Sequence, residues 1–115
     1  MDIDKEMLKG HIEALLLSQL AEQDRYGYEM TKRIFEKSGG SFELKEGTLY
    51  LALKRMEANG LVESYWGNEE PIGGRRKYYR LLSKGKLRLA QKKREWRFIR
   101  LMMDTFLEEG NDERR

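Results

Sequence analysis

The chain has no cysteine. That excludes disulfides, thiolate zinc sites and cysteine nucleophiles. Its single histidine is His11, and no set of nitrogen, sulfur and oxygen donors converges around it at metal-binding spacing. No metal and no cofactor are therefore expected, and His11 reads as a helical surface or interface residue. No apolar run reaches the roughly 18 residues that a membrane-spanning helix needs. Met1-Asp2-Ile3-Asp4 lacks the basic and apolar regions of a secretion signal, so the chain reads as cytoplasmic. There is no nucleophile-base pair and no phosphate-cradling loop at a helix start, which sets enzymes aside. Internal repeats and low-complexity segments are also missing.

What is present is charge. The 115 residues suit one unit with a modest core. A hydrophobic fraction of 39% against a charged fraction of 37% implies solvated helix surface, or apolar surface buried between two chains. The net charge is only +3, so its distribution matters more. Cations concentrate at Arg75, Arg76 and Lys77 and again over residues 84–100. A local cluster steers a polyanion better than a uniform excess.

Leu8, Ile12, Leu15, Leu16 and Leu20 fall at helical spacing and predict a first helix over 4–22. Residues 23–27 read as a turn. A second helix is expected over 27–38, with Tyr28, Met30 (or Thr31), Ile34 and Phe35 inward and Ser38-Gly39-Gly40 as its stop. Residues 41–44 read as a linker or a one-turn strand. A third helix over 46–59 turns Leu49, Ala52, Leu53 and Met56 inward, and Asn59-Gly60 caps it. Strands follow at 61–66 and 76–82, with Tyr78 and Tyr79 on opposite faces. Ser83 is expected to cap a last helix running to about 108. Leu89, Trp96 and Met103 recur every seven residues on it, with Ile99 and Phe106 on a neighbouring line, which makes a dimerisation seam. Leu87, Phe98 and Leu101 form a second patch suited to the first helix of this or a partner chain.

The fold class is thus mainly α with a small β-hairpin. A polar, basic helix followed by a hairpin with a cationic tip can enter a DNA major groove and touch the backbone beside it. Side chains near the start of such a helix reach base edges. The outward face carries Gly47, Thr48, Leu51, Lys54, Arg55 and Ala58. Thr48 suits a base or phosphate, Lys54 and Arg55 suit phosphates, and the Tyr50 hydroxyl suits a phosphate. At the tip, Gly73 and Gly74 allow close approach, and Arg75, Arg76 and Lys77 suit a narrow minor groove. Glu69 and Glu70 are expected to point away from it. For each group the bland alternative is a solvated helix face or a charged turn that blocks edge pairing.

Tyr26-Gly27-Tyr28-Glu29, Gly47-Thr48-Leu49-Tyr50 with Leu53 and Met56, Asn59-Gly60-Leu61-Val62 and Gly74-Arg75-Arg76-Lys77-Tyr78-Tyr79-Arg80-Leu81 with Ser83 and Gly85 occur in this order. Together they resemble the PadR family of transcriptional regulators over about residues 7–107. The resemblance implies a winged helix-turn-helix over 1–82, a dimerisation helix over 83–110 and a disordered tail over 111–115. It also implies a homodimeric repressor that binds a palindromic operator and is released by a small aromatic compound. Tyr26 joins the DNA-facing set on these grounds. Two positions depart from the family pattern: Leu51 stands where Pro is frequent, and Ser83 where Thr is usual. Leu51 is outward-facing and suits a thymine methyl, so operator preference does not transfer there.

Trp96 is the candidate sensor. Two copies across a two-fold axis can sandwich a flat ring, with Leu8, Ile12, Ile99 and Met103 lining the space. The competing role is simple packing in a dimer core. Two other classes stay open: a winged-helix protein-interaction module without specific DNA binding, and a membrane-surface protein using the basic last helix.

Overall fold

The computed structural model of the chain describes residues 5–68 and 74–108. The expectations for Glu69, Glu70, Gly73 and the 111–115 tail lie outside the described residues. In chain order the elements are α1 (Lys5–Lys9), α2 (Ile12–Glu22), β1 (Arg25–Tyr26), α3 (Gly27–Lys37), α4 (Glu46–Ala58), β2 (Val62–Trp66), β3 (Lys77–Leu81) and α5 (Ser83–Glu108). The strands form one antiparallel sheet in the order β1-β3-β2.

The single helix expected over 4–22 is broken at Gly10-His11. The His11 amide donates to the Leu8 carbonyl at 2.8 Å, a tighter turn than an α-helix makes. The break gives Leu8 and Ile12 different surroundings. Ile12 joins the core, while Leu8 lies half-buried at its edge. The expected turn at 23–27 contains β1, which pairs Arg25 with Tyr79 and Tyr26 with Tyr78. Two residues are too few to show the alternation that reveals a strand.

In α3, Met30 and Ile34 are buried as expected, but Tyr28 and Phe35 are exposed. Tyr28 and Met30 are two positions apart, about 200° around a helix, so they cannot share a face. The Phe35 ring instead lies over Gly40, in the turn that ends the helix. No strand forms at 41–44, where Phe42 and Leu44 are buried and pin the linker to the core.

The inward stripe of α4, Leu49, Ala52, Leu53 and Met56, is buried throughout. Its end is a Schellman motif. Gly60 takes φ +73, its amide donates to Glu57, and the Leu61 amide donates to Met56 at 2.9 Å. The motif turns the chain directly into β2. The sheet packs Val62, Tyr79 and Leu81 on the helices. Tyr78, on the other face, stays half-exposed.

Ser83 is the first residue of α5 rather than a residue preceding it. Gly85 lies so close to the β2 entrance that an added Cβ would fall 2.2 Å from the Leu61 carbonyl oxygen. Leu89, read as a seam residue, is buried in the chain's own core. Leu87, Phe98 and Leu101 are exposed, so that patch does not pack on the first helix of its own chain.

A buried polar network ties α2, β1 and α3. Arg25 is 5% exposed. Its guanidinium donates to the Gln19 carbonyl at 3.2 Å and to Glu22 at 2.7 Å, and it pairs with Glu29 at 3.5 Å. Gln19 in turn donates to the Met30 carbonyl and accepts from Arg33. Each buried polar group thus has a partner, as burial requires.

Candidate nucleic-acid interface

The outward face of α4 is open from end to end. Thr48, Leu51, Lys54 and Arg55 are all exposed, Leu51 at 67%. Among the described residues, no ion pair engages Lys54 or Arg55, whereas Arg25, Arg33, Arg80 and Arg88 are all bound to carboxylates. Lys54 and Arg55 are therefore exposed on this face without being committed to a carboxylate among the described residues. A Cβ on Gly47 would meet nothing within 4 Å, so a surface can approach the start of the helix closely.

Tyr50 differs from its neighbours. It is 40% exposed, and its hydroxyl lies over Gly27 at the start of α3. A side chain at position 27 would collide with that ring, which explains a glycine there. Burial, then the Glu46 carboxylate, pushes the Tyr50 hydroxyl above its ordinary pKa. It remains a neutral hydroxyl, able to donate to an anion.

The wing is β2, β3 and the residues that lead into β3. The Gly67 amide donates to the Arg76 carbonyl at 2.8 Å and closes the hairpin end. Gly74 takes φ +96, a conformation that side chains disfavour. Arg75, Arg76 and Lys77 follow, all exposed. Arg75 and Lys77 lie 6.0 and 5.9 Å from the Trp66 ring centre, and Arg76 lies 4.8 Å from that of Tyr26. Tyr26, the one DNA-facing candidate outside α4 and the wing, is thereby brought against the wing.

The outer sheet face holds a cluster that sequence reasoning missed. Tyr26 meets Tyr78 edge to face at 5.5 Å, and Tyr78 stacks on Tyr65 at 5.7 Å. The Tyr65 hydroxyl donates to Asp24 at 2.5 Å, and that bond pushes its pKa up. Arg80 lies over the Tyr65 ring and pairs with Asp24 and Glu63. These residues come from three strands far apart in the chain, and only the pairing register reveals them.

The proposed sensor residues are divided. Leu8, Trp96 and Ile99 line one groove of about 520 Å³ between the α1–α2 corner and α5, together with His11, Leu15 and Leu89. Ile12 points into the core instead, and Met103 lies beyond the groove. His11, read from the sequence as a helical surface or interface residue, lies at the break between α1 and α2 and lines this groove.

The described residues contain no cluster of side chains able to hold a metal. None of the described helices is long and apolar enough to cross a membrane.

Residues 16–91 match the family model described as the transcriptional regulator PadR-like family. An uncharacterised protein of Lysinibacillus sphaericus is 37% identical over 106 residues, covering 92% of this chain and 96% of that one. A PadR family transcription regulator from hypervirulent Clostridium difficile is 52% identical, with a TM-score of 0.75, covering 84% of this chain and 98% of that one. A transcriptional regulator from Clostridium thermocellum is 37% identical, with a TM-score of 0.79, covering 88% and 97%. The match runs from within α2 through the three strands into the first turns of α5, so the chain belongs to the PadR-like family and is a DNA-binding transcriptional regulator, not an enzyme.

Proposed function

We propose that the chain works in the cytoplasm as a homodimeric repressor, released from a palindromic operator by a small aromatic compound. The observation that carries the DNA-contact assignment is the open α4 face, with Lys54 and Arg55 exposed and without carboxylate partners among the described residues. Each α4 enters a major groove, with half-sites about one helical turn, ~10 bp, apart. Thr48 and Leu51 meet base edges, Lys54, Arg55 and Tyr50 meet phosphates, and Gly74 to Lys77 lie along the backbone or minor groove.

Dimerisation is supported by the distal half of α5. Trp96, Ile99, Met103 and Phe106 are exposed in one chain, as are Phe98 and Leu101. A contiguous apolar surface of this kind is stabilised by a partner. The α5 helix then acts as the dimerisation helix of a reading unit formed by the described residues up to 82. The effector enters the groove at Trp96. By binding one spacing of the two α4 helices better than another, it lowers operator affinity.

The test is a footprint on the DNA immediately upstream of the chain's own coding sequence, with gel-shift competition by unrelated DNA at near-physiological salt. A protected, roughly palindromic site that resists competitor is the expected result. Equal, salt-sensitive binding to all DNA would reduce the surface to nonspecific attraction. No binding to that DNA or to competitor would favour a protein-interaction module.

A further inference from the structure

The wing arginines Arg76 and Arg80 are not held alike. Arg76 and Arg80 sit on one face of β3 and its lead-in, two positions either side of Tyr78, and Tyr26 and Tyr65 flank Tyr78 from the neighbouring strands. The carboxylates near this face, Asp24 and Glu63, are both taken by Arg80 at 3.3 and 3.2 Å. Arg76, at the other end, has no carboxylate partner among the described residues. Its guanidinium instead lies 4.8 Å from the centre of the Tyr26 ring. Tyr26 is itself fixed. Its backbone pairs with Tyr78, and its ring meets that of Tyr78, which stacks on Tyr65, which is anchored to Asp24.

The two kinds of partner have different consequences. A carboxylate orients a guanidinium and cancels its charge. An aromatic face orients it and leaves the charge available. An arginine held this way loses less side-chain freedom when it meets an anion. We infer that Tyr26 is a positioning residue for Arg76: the β1 tyrosine holds the wing guanidinium over its ring, uncancelled and pre-set for DNA. The inference rests on the DNA-binding reading of the wing.

Two measurements test it. In DNA-free protein, proton NMR of the Arg76 side chain should show upfield ring-current shifts. These should persist in Tyr26→Phe and vanish in Tyr26→Leu. The second measurement is affinity for a mixed-sequence duplex across a salt series. Tyr26→Phe should match the parent. Tyr26→Leu should bind about two- to fivefold more weakly, the range of an exposed cation–π contact, with an unchanged salt slope. Arg76→Ala should weaken binding and lower the slope by about one. The double variant should be no weaker than Arg76→Ala alone. Multiplied effects in the double variant, or ring-current shifts that survive Tyr26→Leu, would overturn the positioning role. An affinity untouched by Arg76→Ala would instead overturn the wing reading, and the positioning role with it, whatever the NMR shows. Tyr26→Phe keeps the ring, so its recovery separates positioning from loss of fold in Tyr26→Leu.

Discussion

His11 and Trp96 meet nearly at right angles, ring centroids 5.5 Å apart and planes 80° from parallel. The contact joins the break between α1 and α2 to the middle of α5. Edge-to-face geometry leaves ring faces available to a flat third partner. In a Trp66→Phe background, Trp96 is the only indole. Its emission should then be quenched by a planar aromatic dye. Trp96→Ala should weaken dye binding about tenfold, the upper range for a stacked pair. An unchanged dye affinity would place the dye elsewhere.

Lys54→Ala and Arg55→Ala should each weaken binding across DNA sequences and lower the salt slope by about one. Thr48→Ala should act differently, changing the preference between sequences with little change in slope. If all three variants lost affinity uniformly, Thr48 would be a backbone contact.

Two glycines should respond in opposite ways. Gly85→Ala forces a methyl to within 2.2 Å of the Leu61 carbonyl and 2.6 Å of a Leu81 methyl. It should cost about 1–3 kcal/mol in denaturant unfolding, the range for overpacking. Gly47→Ala has open space around it in a helix. It should raise stability by about 0.5–1 kcal/mol while weakening DNA binding through lost approach. A stable Gly85→Ala protein would show that α5 can tilt away from the sheet.

Tyr50, Tyr65 and Tyr79 all have pKa values raised above the ordinary phenol. For Tyr50 and Tyr79 the leading cause is burial, and for Tyr65 it is the bond to Asp24. A raised folded-state pKa means that the folded protein holds its proton more tightly than the unfolded chain. The stabilisation is complete below the unfolded value, about 10, and is lost as pH rises through the folded values. Unfolding free energy should fall above about pH 10, and Tyr65→Phe should make that fall shallower. An identical fall in Tyr65→Phe would exclude Tyr65 from it.

Met103→Glu with Phe106→Glu should convert the proposed dimer to monomers in sedimentation, with the reading unit still folded. Both residues are exposed in a single chain, so the change removes no contact of the chain's own core. A persistent dimer would move the interface to another part of the molecule.

The helices of the reading unit were legible because their stripes repeat over several turns. The α4 residues Leu49, Ala52, Leu53 and Met56 satisfy one spacing without exception, and the Asn59-Gly60 stop has its own chemistry. What stayed hidden depends on partners distant in the chain. Strand β1 is defined only by its register with Tyr78 and Tyr79. The Tyr26–Arg76 contact follows from that register. Tyr28 is exposed because it lies about 200° around the helix from the buried Met30, a relation that its aromatic character does not reveal. Leu89 fitted a seven-residue repeat, yet the close approach at Gly85 draws the start of α5 onto the sheet and takes Leu89 into the core. A repeat along a helix does not say where one neighbour ends and the next begins.

The joint at Gly85 also sets the mechanics of the molecule. With no side chain between α5 and the Leu61 backbone, the 26-residue helix starts in direct contact with the reading unit. At 1.5 Å per residue the helix is a lever of ~39 Å. A swing of ~10° about one end carries the other through ~7 Å, close to two base-pair steps. On the proposed function, a flat molecule beside Trp96 would act near the middle of that lever, and a small displacement there would be enlarged toward its ends into a misfit against the pitch of the double helix.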